Sequence, residues 1–344
     1  MRVSIVISRL RAFVASCLGV LVPLSVIVGA IGCNRSETRP TTLTIAVIPK
    51  GTSHVFWQSI HAGAAKAAKE LGITIVWRGP LREDERESQI SEVERFVTAG
   101  VSGLVLAPLD EVALAQPVAD AKRNNIPVVV IDSGLKGHDY VSFVATDNRL
   151  AGRLAGEHLA ALLHDKGRVV LLRYAEGSES TIQREEGFLE AIKARQGIQI
   201  VSGNQYGGAD VEGAYKKSEA VLSGLKRGDG GLDVDGIFTP NESTTLAMMR
   251  VLVDNGWAGK VRFVGFDASD SLVKGMRDGH IDAIVVQDPV KMGYLGVKTI
   301  VAHIRGQPVE PRIDTGAKLI ARDRMDDPDV QELLHPDLKR WLTP

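Results

Sequence analysis

Sulfur chemistry is almost missing from this chain: its 344 residues hold two cysteines, Cys17 and Cys33. Both stand near the start, which excludes a disulfide framework and a cysteine-based metal site in the body, so stability must come from packing. An excess of one charge is missing too. The 41 basic and 42 acidic side chains leave a formal net charge of -1, so no broad positive field favours nucleic acid or an acidic polymer, and a neutral small molecule is the easier partner. There is no H-E-x-x-H pair, no G-x-S-x-G elbow, no P-loop and no full G-x-G-x-x-G turn. Each absence removes a specific reason to expect an enzyme.

What is present begins with Arg2, Arg9 and Arg11 ahead of an apolar run over residues 12–31, closed by Ala30-Ile31-Gly32-Cys33. This is the layout of a secretory signal. The AIGC end resembles the lipobox of bacterial lipoproteins, which implies cleavage before Cys33 and lipidation of its thiol. Residues 1–32 are then the signal and 33–42, polar and carrying Pro40, a tether. The resemblance departs at Ala30, where the lipobox usually has Leu, and a run of about twenty apolar residues also suits a retained anchor, though Pro23 interrupts it. Both alternatives put the body outside the cytoplasmic membrane.

From residue 43 onward, short β-branched runs alternate with segments of helical period, the pattern of βαβ units around parallel sheets. Strands are predicted at 43–48, 73–78, 103–107, 128–131 and 141–145, then at 168–172, 198–205, 236–239, 261–266 and 283–286. Helices fall between them. Over 56–71, Ile60, Ala64, Ala67, Ala68 and Leu71 form one apolar stripe, and 150–163 has similar spacing. So many strands exceed one small sheet, and the order predicts two doubly wound lobes. An internal echo agrees: VSGLVLAPLDEVALA around Gly103 and VDGIFTPNESTTLA around Gly236 share a glycine, a buried strand and a proline before a helix. Each leads to an apolar strand ending in aspartate, Asp132 or Asp267. Ligands of open α/β sheets bind beyond the carboxyl ends of the strands, so two such lobes face to face would carry these aspartates on opposite walls of a cleft.

The chain resembles the periplasmic sugar-binding proteins of the ribose- and galactose-binding class, whose lobes recur in LacI-type repressors. The resemblance runs from about residue 43 to 321 through FWQSIHAG (56–63), IPVVVIDS (126–133), VATDNRLAG (144–152), REEGF (184–188), PNESTTLAMMRVL (240–252), VGFD (264–267) and VVQDPVKMGYLGV (285–297). It implies the type I periplasmic-binding-protein fold, an α/β architecture of two doubly wound parallel-sheet lobes joined by a three-stranded hinge. The N-terminal lobe would hold 43–146 and 288–308, the C-terminal lobe 147–287 and 309–344, with crossings near Thr146, Gln287 and Pro308. Carried over position by position, the resemblance implies Phe56 and Trp57 as an aromatic wall and Asp132, Arg184, Asn241, Asp267 and Gln287 as a polar ring around a sugar or polyol, with His54 and Tyr206 as further contacts. It implies no catalytic residue, metal or cofactor. The implied partners are the permease subunits of an ABC importer and, through lipid on Cys33, the membrane. The protein is expected to be a monomer in the periplasm or at the cell surface.

That residue set makes chemical sense. A carboxylate accepts from two neighbouring hydroxyls, a guanidinium donates in a fixed fork, amides do both, and an aromatic face packs against the C–H face of a sugar ring. Each member has a plainer rival role: Asp132, Asp267 and Asn241 stand where strands meet helices and would serve as helix caps, and Phe56 or Trp57 would serve as core. One departure matters. The ribose-binding pattern commonly has Arg after the first aspartate, whereas Asp132 is followed by Ser133, which speaks against ribose itself. The stretch 231–242 partly fits a calcium loop, but its first position is Gly231 and its second half must be a strand. The charged runs 82–87 and 322–329 read as solvated faces, and the terminal segment as a short helix packing Leu333, Leu334 or Trp341 on the second lobe. Two further classes compete: a repressor, which would need a helix-turn-helix where the signal stands, and a lipoprotein sensor passing its closed state to a receptor kinase or chemoreceptor.

Overall fold

The computed structural model describes residues 42–342; the expected signal, Cys33 and all of the tether but its last residue lie outside the described residues. The strands in chain order are β1 (Thr44–Ile48), β2 (Thr74–Trp77), β3 (Gly103–Leu106), β4 (Val128–Ile131), β5 (Ser142–Ala145), β6 (Lys166–Arg173), β7 (Gly197–Tyr206), β8 (Gly236–Phe238), β9 (Arg262–Phe266), β10 (Ala283–Gln287), β11 (Arg312–Asp314) and β12 (Ala317–Ala321). The helices are α1 (Val55–Leu71), α2 (Arg86–Ala99), α3 (Ala115–Arg123), α4 (Asn148–Leu162), α5 (Glu179–Lys193), α6 (Val211–Ser223), α7 (Glu242–Asp254), α8 (Asp270–Arg277), α9 (Pro289–Ile304), α10 (Pro328–Leu334) and α11 (Lys339–Leu342).

These strands make two six-stranded sheets, ordered β11, β5, β4, β3, β1, β2 and β12, β10, β9, β8, β6, β7. All the predicted strands are present and pair in parallel; the exception to parallel pairing is the edge strand β12, antiparallel to β10. Central strands such as GLVL and VVVI are apolar on both faces and fully buried because helices cover both sides. In the first sheet, Val47, Val105 and Val129 pack with Trp57, Ile60 and Ile300, while Ile48, Leu104 and Val128 pack with Val93 and Leu114 on the other face. The second sheet repeats this, with Ile237 and Phe263 against Met248 and Leu252 on one side and Phe238 and Phe266 against Phe188 on the other.

In each sheet the second strand turns one way from the first and the later strands the other, so each has a switch point, between β1 and β3 in one and between β6 and β8 in the other, where a doubly wound sheet offers its crevice. The lobes also share a helix-packing device. A Cβ added at Gly63 on α1 would overlap the carbonyl oxygen of Val290, and one at Gly293 on α9 that of Ile60. The same reciprocal contact joins α4 and α5, where a Cβ at Gly152 would overlap the Arg184 carbonyl oxygen and one at Gly187 that of Arg149.

The chain crosses between the sheets three times: after β5 at Thr146, after β10 at Gln287 and Asp288, and between β11 and β12 at Thr315 and Gly316. The first two coincide with the expected positions. The third does not fall near Pro308, which is exposed, because β11 first adds to the N-terminal sheet beside β5; residues 312–314 thus belong with the first sheet. The crossings touch one another: the Thr146 hydroxyl lies 3.3 Å from that of Thr315, and Arg312 donates to the Thr146 carbonyl at 3.0 Å. Beyond β12, Met325, Val330 and Leu334 enter the second core. Trp341 instead reaches the first lobe, with Lys66 and Lys69 of α1 over its ring, so of the residues expected to pack on the second lobe it is the exception.

Candidate ligand cleft

The carboxyl ends of both sheets meet. Lys50, His54, Phe56 and Trp57 follow β1, Glu83 follows β2, and Asp132 follows β4. From the other lobe come Tyr174 after β6, Ser178, Ser180, Thr181 and Arg184 at the start of α5, Asn241 and Glu242 after β8, Asp267 after β9 and Gln287 at the end of β10. Together they line one cleft. Its walls touch, leaving about 30 Å³ between them, room for about two waters and too little for a monosaccharide. Phe56, Asp267 and Gln287 also line a groove of about 790 Å³ beside the hinge, bounded by α1, α9 and the C-terminal segment.

All the expected site residues meet there except Tyr206. β7 is the outermost strand of its sheet, and Tyr206 at its end lies against Arg173, 5.8 Å from ring to guanidinium, away from the cleft. The capping alternative separates the others. Asn241 does cap α7, accepting from the Thr244 N–H, while still lining the cleft. Neither Asp132 nor Asp267 caps the helix that follows it, although Asp267 Oδ2 accepts the N–H of Glu242 at the start of α7 at 3.1 Å; both adopt left-handed backbone, with φ of 63° and 66°, a conformation that costs a non-glycine residue energy and clusters at functional sites. Trp57 belongs to the core and to the cleft at once: its ring is buried in the first lobe's cluster and meets Phe56 edge-on at 4.9 Å.

Sequence reasoning missed the groups that organise this set. Lys50 is buried with its Nζ 2.8 Å from Asp132 Oδ2, donating also to Ser178 Oγ at 3.2 Å and Ser180 Oγ at 3.0 Å across the cleft. It supplies the cation that Ser133 failed to provide beside Asp132. Glu83, inside a charged run that reads as solvated, is instead 8 % exposed. It accepts from Trp57 Nε1 at 2.7 Å and from the Tyr174 hydroxyl of the other lobe at 2.6 Å, and pairs with His54 Nδ1 at 2.7 Å.

Burial alone would depress the His54 pKa, but the hydrogen bond and charge of Glu83, with Glu242 and Asp267 beyond, hold it up at about 9. Burial would raise Glu83; His54, the Tyr174 hydroxyl and Lys50 bring it down to about 2. The pair is therefore ionised at neutral pH. Further direct contacts cross the cleft: Gly134 N–H to Glu179, Ser180 N–H to Ser133 Oγ, and Phe56 N–H to Glu242. Arg184 is held by donating to Asn148 Oδ1 at 2.8 Å and the Pro240 carbonyl at 3.0 Å, with its guanidinium 4.0 Å from the Phe266 ring. Among the described residues no group of three or more His, Cys, Asp or Glu is placed to hold a metal ion.

A family model described as a periplasmic binding protein domain matches residues 45–308. The chain belongs to that family. Among curated periplasmic binding proteins, the ribose import binding protein of Haemophilus influenzae is 31% identical over 291 residues, 85% of this chain and 96% of that one. The D-ribose/D-allose-binding protein of Pseudomonas aeruginosa is 30% identical over 89% of this chain and 93% of its own length. Among solved structures, a carbohydrate transporter solute binding protein from Agrobacterium radiobacter in complex with D-arabinose superposes with a TM-score of 0.81 at 32% identity, over 86% of this chain and 99% of that one. An ABC transporter solute binding protein from Agrobacterium vitis with bound D-fucose gives 0.80 at 35% identity, over 85% and 100%. The two-lobed architecture is thus the type I periplasmic binding protein fold.

Proposed function

We propose that this periplasmic binding protein captures a monosaccharide or polyol between its lobes and hands it to the permease subunits of an ABC importer, working as a monomer lipid-anchored through Cys33. The observation that carries this is the convergence of Phe56, Trp57, Asp132, Arg184, Asn241, Asp267 and Gln287, with His54, from both lobes onto one cleft. Relatives named for ribose and allose, and solved structures holding D-arabinose and D-fucose, support the ligand class. The residues act together: carboxylates accept from vicinal hydroxyls, Arg184 donates, and Phe56 offers a ring face. Ligand joined to both walls favours the closed arrangement, and closure is what a transporter recognises. Selectivity follows because a misplaced hydroxyl would strand a buried polar group at about 1–3 kcal/mol.

A thermal-shift screen of the chain from residue 34 onward against pentoses, hexoses, polyols and inositols tests this, since a ligand that binds only the native state raises the melting temperature. A clear rise is expected for one sugar or a narrow set, and Asp267→Ala should abolish it while leaving the unliganded protein folded. An unchanged ligand response in that variant would remove the proposed pocket.

A further inference from the structure

The cleft walls are unevenly supplied with charge. Three cationic side chains line it, Lys50, His54 and Arg184, against four carboxylates, Glu83, Asp132, Asp267 and Glu242. Lys50 is matched to Asp132 and His54 to Glu83. Arg184, directed to Asn148, Pro240 and the Phe266 ring, is left to offset Asp267 and Glu242, neither of which has a basic group in ion-pair contact among the described residues.

Hydrogen-bonding capacity is uneven in the same sense. Lys50 donates to Ser178 and Ser180 and is ion-paired with Asp132, whose Oδ2 still has no hydrogen-bond partner; the Trp57 and Tyr174 donors are engaged by Glu83. Gln287 gives its Nε2 to Asp267 at 2.8 Å, and its Oε1, on a side chain 97 % buried by its 3 % exposure, has no partner. Arg184 keeps donors beyond its two contacts; the rest of the open capacity on the second-lobe wall is acceptor: Gln287 Oε1 and the carboxylates of Asp267 and Glu242, which stand together with the Glu242 N–H on Asp267 Oδ2 at 3.1 Å.

Resting on the sugar-binding reading above, we infer that the ligand is a sugar or polyol bearing an ammonium group, seated with its nitrogen toward Gln287, Asp267 and Glu242. An ammonium carries three donors, no acceptor and the single positive charge that balances the cleft. A neutral sugar fills the same acceptors with hydroxyl donors but leaves two buried carboxyl groups beside one cation, so that one of them has to hold a proton. The titration behaviour agrees. Burial pushes both groups up, Glu242 to about 7 even with His54 nearby; the charges of Asp267 and Glu83 raise Glu242 further and that of Asp132 raises Asp267, while Arg184, Gln287 and the Glu242 N–H pull Asp267 down. A bound cation reverses that, so binding near neutral pH releases a proton from this pair.

The experiment is calorimetry on the chain from residue 34 onward, at about pH 7 and in two buffers of different ionisation enthalpy, comparing D-glucosamine, D-galactosamine and D-mannosamine with D-glucose, D-galactose, D-mannose, D-ribose and D-arabinose. At least one amine should bind about tenfold or more tighter than its parent hexose, with proton release, and tighter than either pentose. In Glu242→Gln the preference for that amine over its parent should shrink toward one. A neutral sugar binding as tightly as every amine, or tighter, overturns the inference and leaves the sugar-binding reading standing. Binding of none of these, with no shift from the wider panel of the thermal screen, removes that reading and this inference with it.

Discussion

Replacing Glu83 by glutamine keeps the shape of the side chain and an oxygen for Trp57 Nε1, but takes away the charge that holds His54 protonated. In the native protein the His54 pKa is raised from 6.5 to about 9. A group raised on folding contributes its full stabilisation below its unfolded pKa and loses it as the pH climbs through the folded one. The His54–Glu83 pair should therefore stabilise fully up to about pH 6.5 and fade by about pH 9.5, by about 3 kcal/mol at 1.36 kcal/mol per unit. On the acid side Glu83, lowered to about 2, keeps its contribution above pH 4.5 and loses it as the pH falls through 2. Both limbs report one pair, so they are not summed.

Urea unfolding followed by tryptophan fluorescence and circular dichroism at pH 6, 7.5, 8.5 and 9.5 measures this, with coincident transitions as the check that one free energy describes both lobes. Wild type should lose about 3 kcal/mol across that range relative to Glu83→Gln. The variant should lack the alkaline fall, because without the carboxylate burial favours neutral imidazole. Parallel curves for the two proteins would refute the assignment of the alkaline fall to His54 and Glu83.

Three further outcomes follow from the same contacts. Lys50→Met leaves the Asp132 carboxylate buried without its cation and should cost about 3–5 kcal/mol in a denaturant titration, with much of the loss recovered in the double variant Lys50→Met, Asp132→Asn. Tyr174→Phe removes a hydrogen bond from one lobe to the Glu83 carboxylate of the other, so ligand affinity measured by calorimetry should fall by about tenfold or more, as expected for about 1.5–3 kcal/mol, while urea unfolding of the unliganded protein changes less. Gly152→Ala drives a methyl group into the Arg184 backbone and should lower stability by about 1–3 kcal/mol and blunt the ligand-induced thermal shift, since Arg184 moves with α5.

The fold was legible because its strands are buried on both faces, which writes them as continuous apolar runs, and because Asp132 and Asp267 recur at the same place in each half. Their matching left-handed turns are the structural form of that echo. What escaped was short or tertiary. β11 and β12 span 3 and 5 residues at the sheet edges, too little for a period to show, and missing β11 displaced the expected third crossing. Tyr206 was misplaced because spacing along β7 says nothing of where that strand sits in its sheet. Lys50 and Glu83 look like surface charges in their own segments; only the partners brought from β4, α1 and the opposite lobe make their burial affordable.

Those two residues change how closure works. If the cleft were lined only by groups waiting for ligand, parting the lobes would hydrate them and closing would strip them bare until the ligand arrived. Here Lys50 keeps Asp132 and Glu83 keeps His54 and Trp57 within the first lobe in either arrangement, and closure adds Ser178, Ser180 and Tyr174 to them. Much of the desolvation is then offset by protein contacts, and the ligand has to satisfy only what remains open, chiefly Gln287, Asp267, Glu242 and Arg184 on the second lobe and Asp132 Oδ2 on the first. Affinity and selectivity are thereby concentrated on the second-lobe wall, which is why substitutions at Asp267 and Glu242 should alter which ligand binds, whereas those at Glu83 and Tyr174 should alter how readily the lobes close on any ligand.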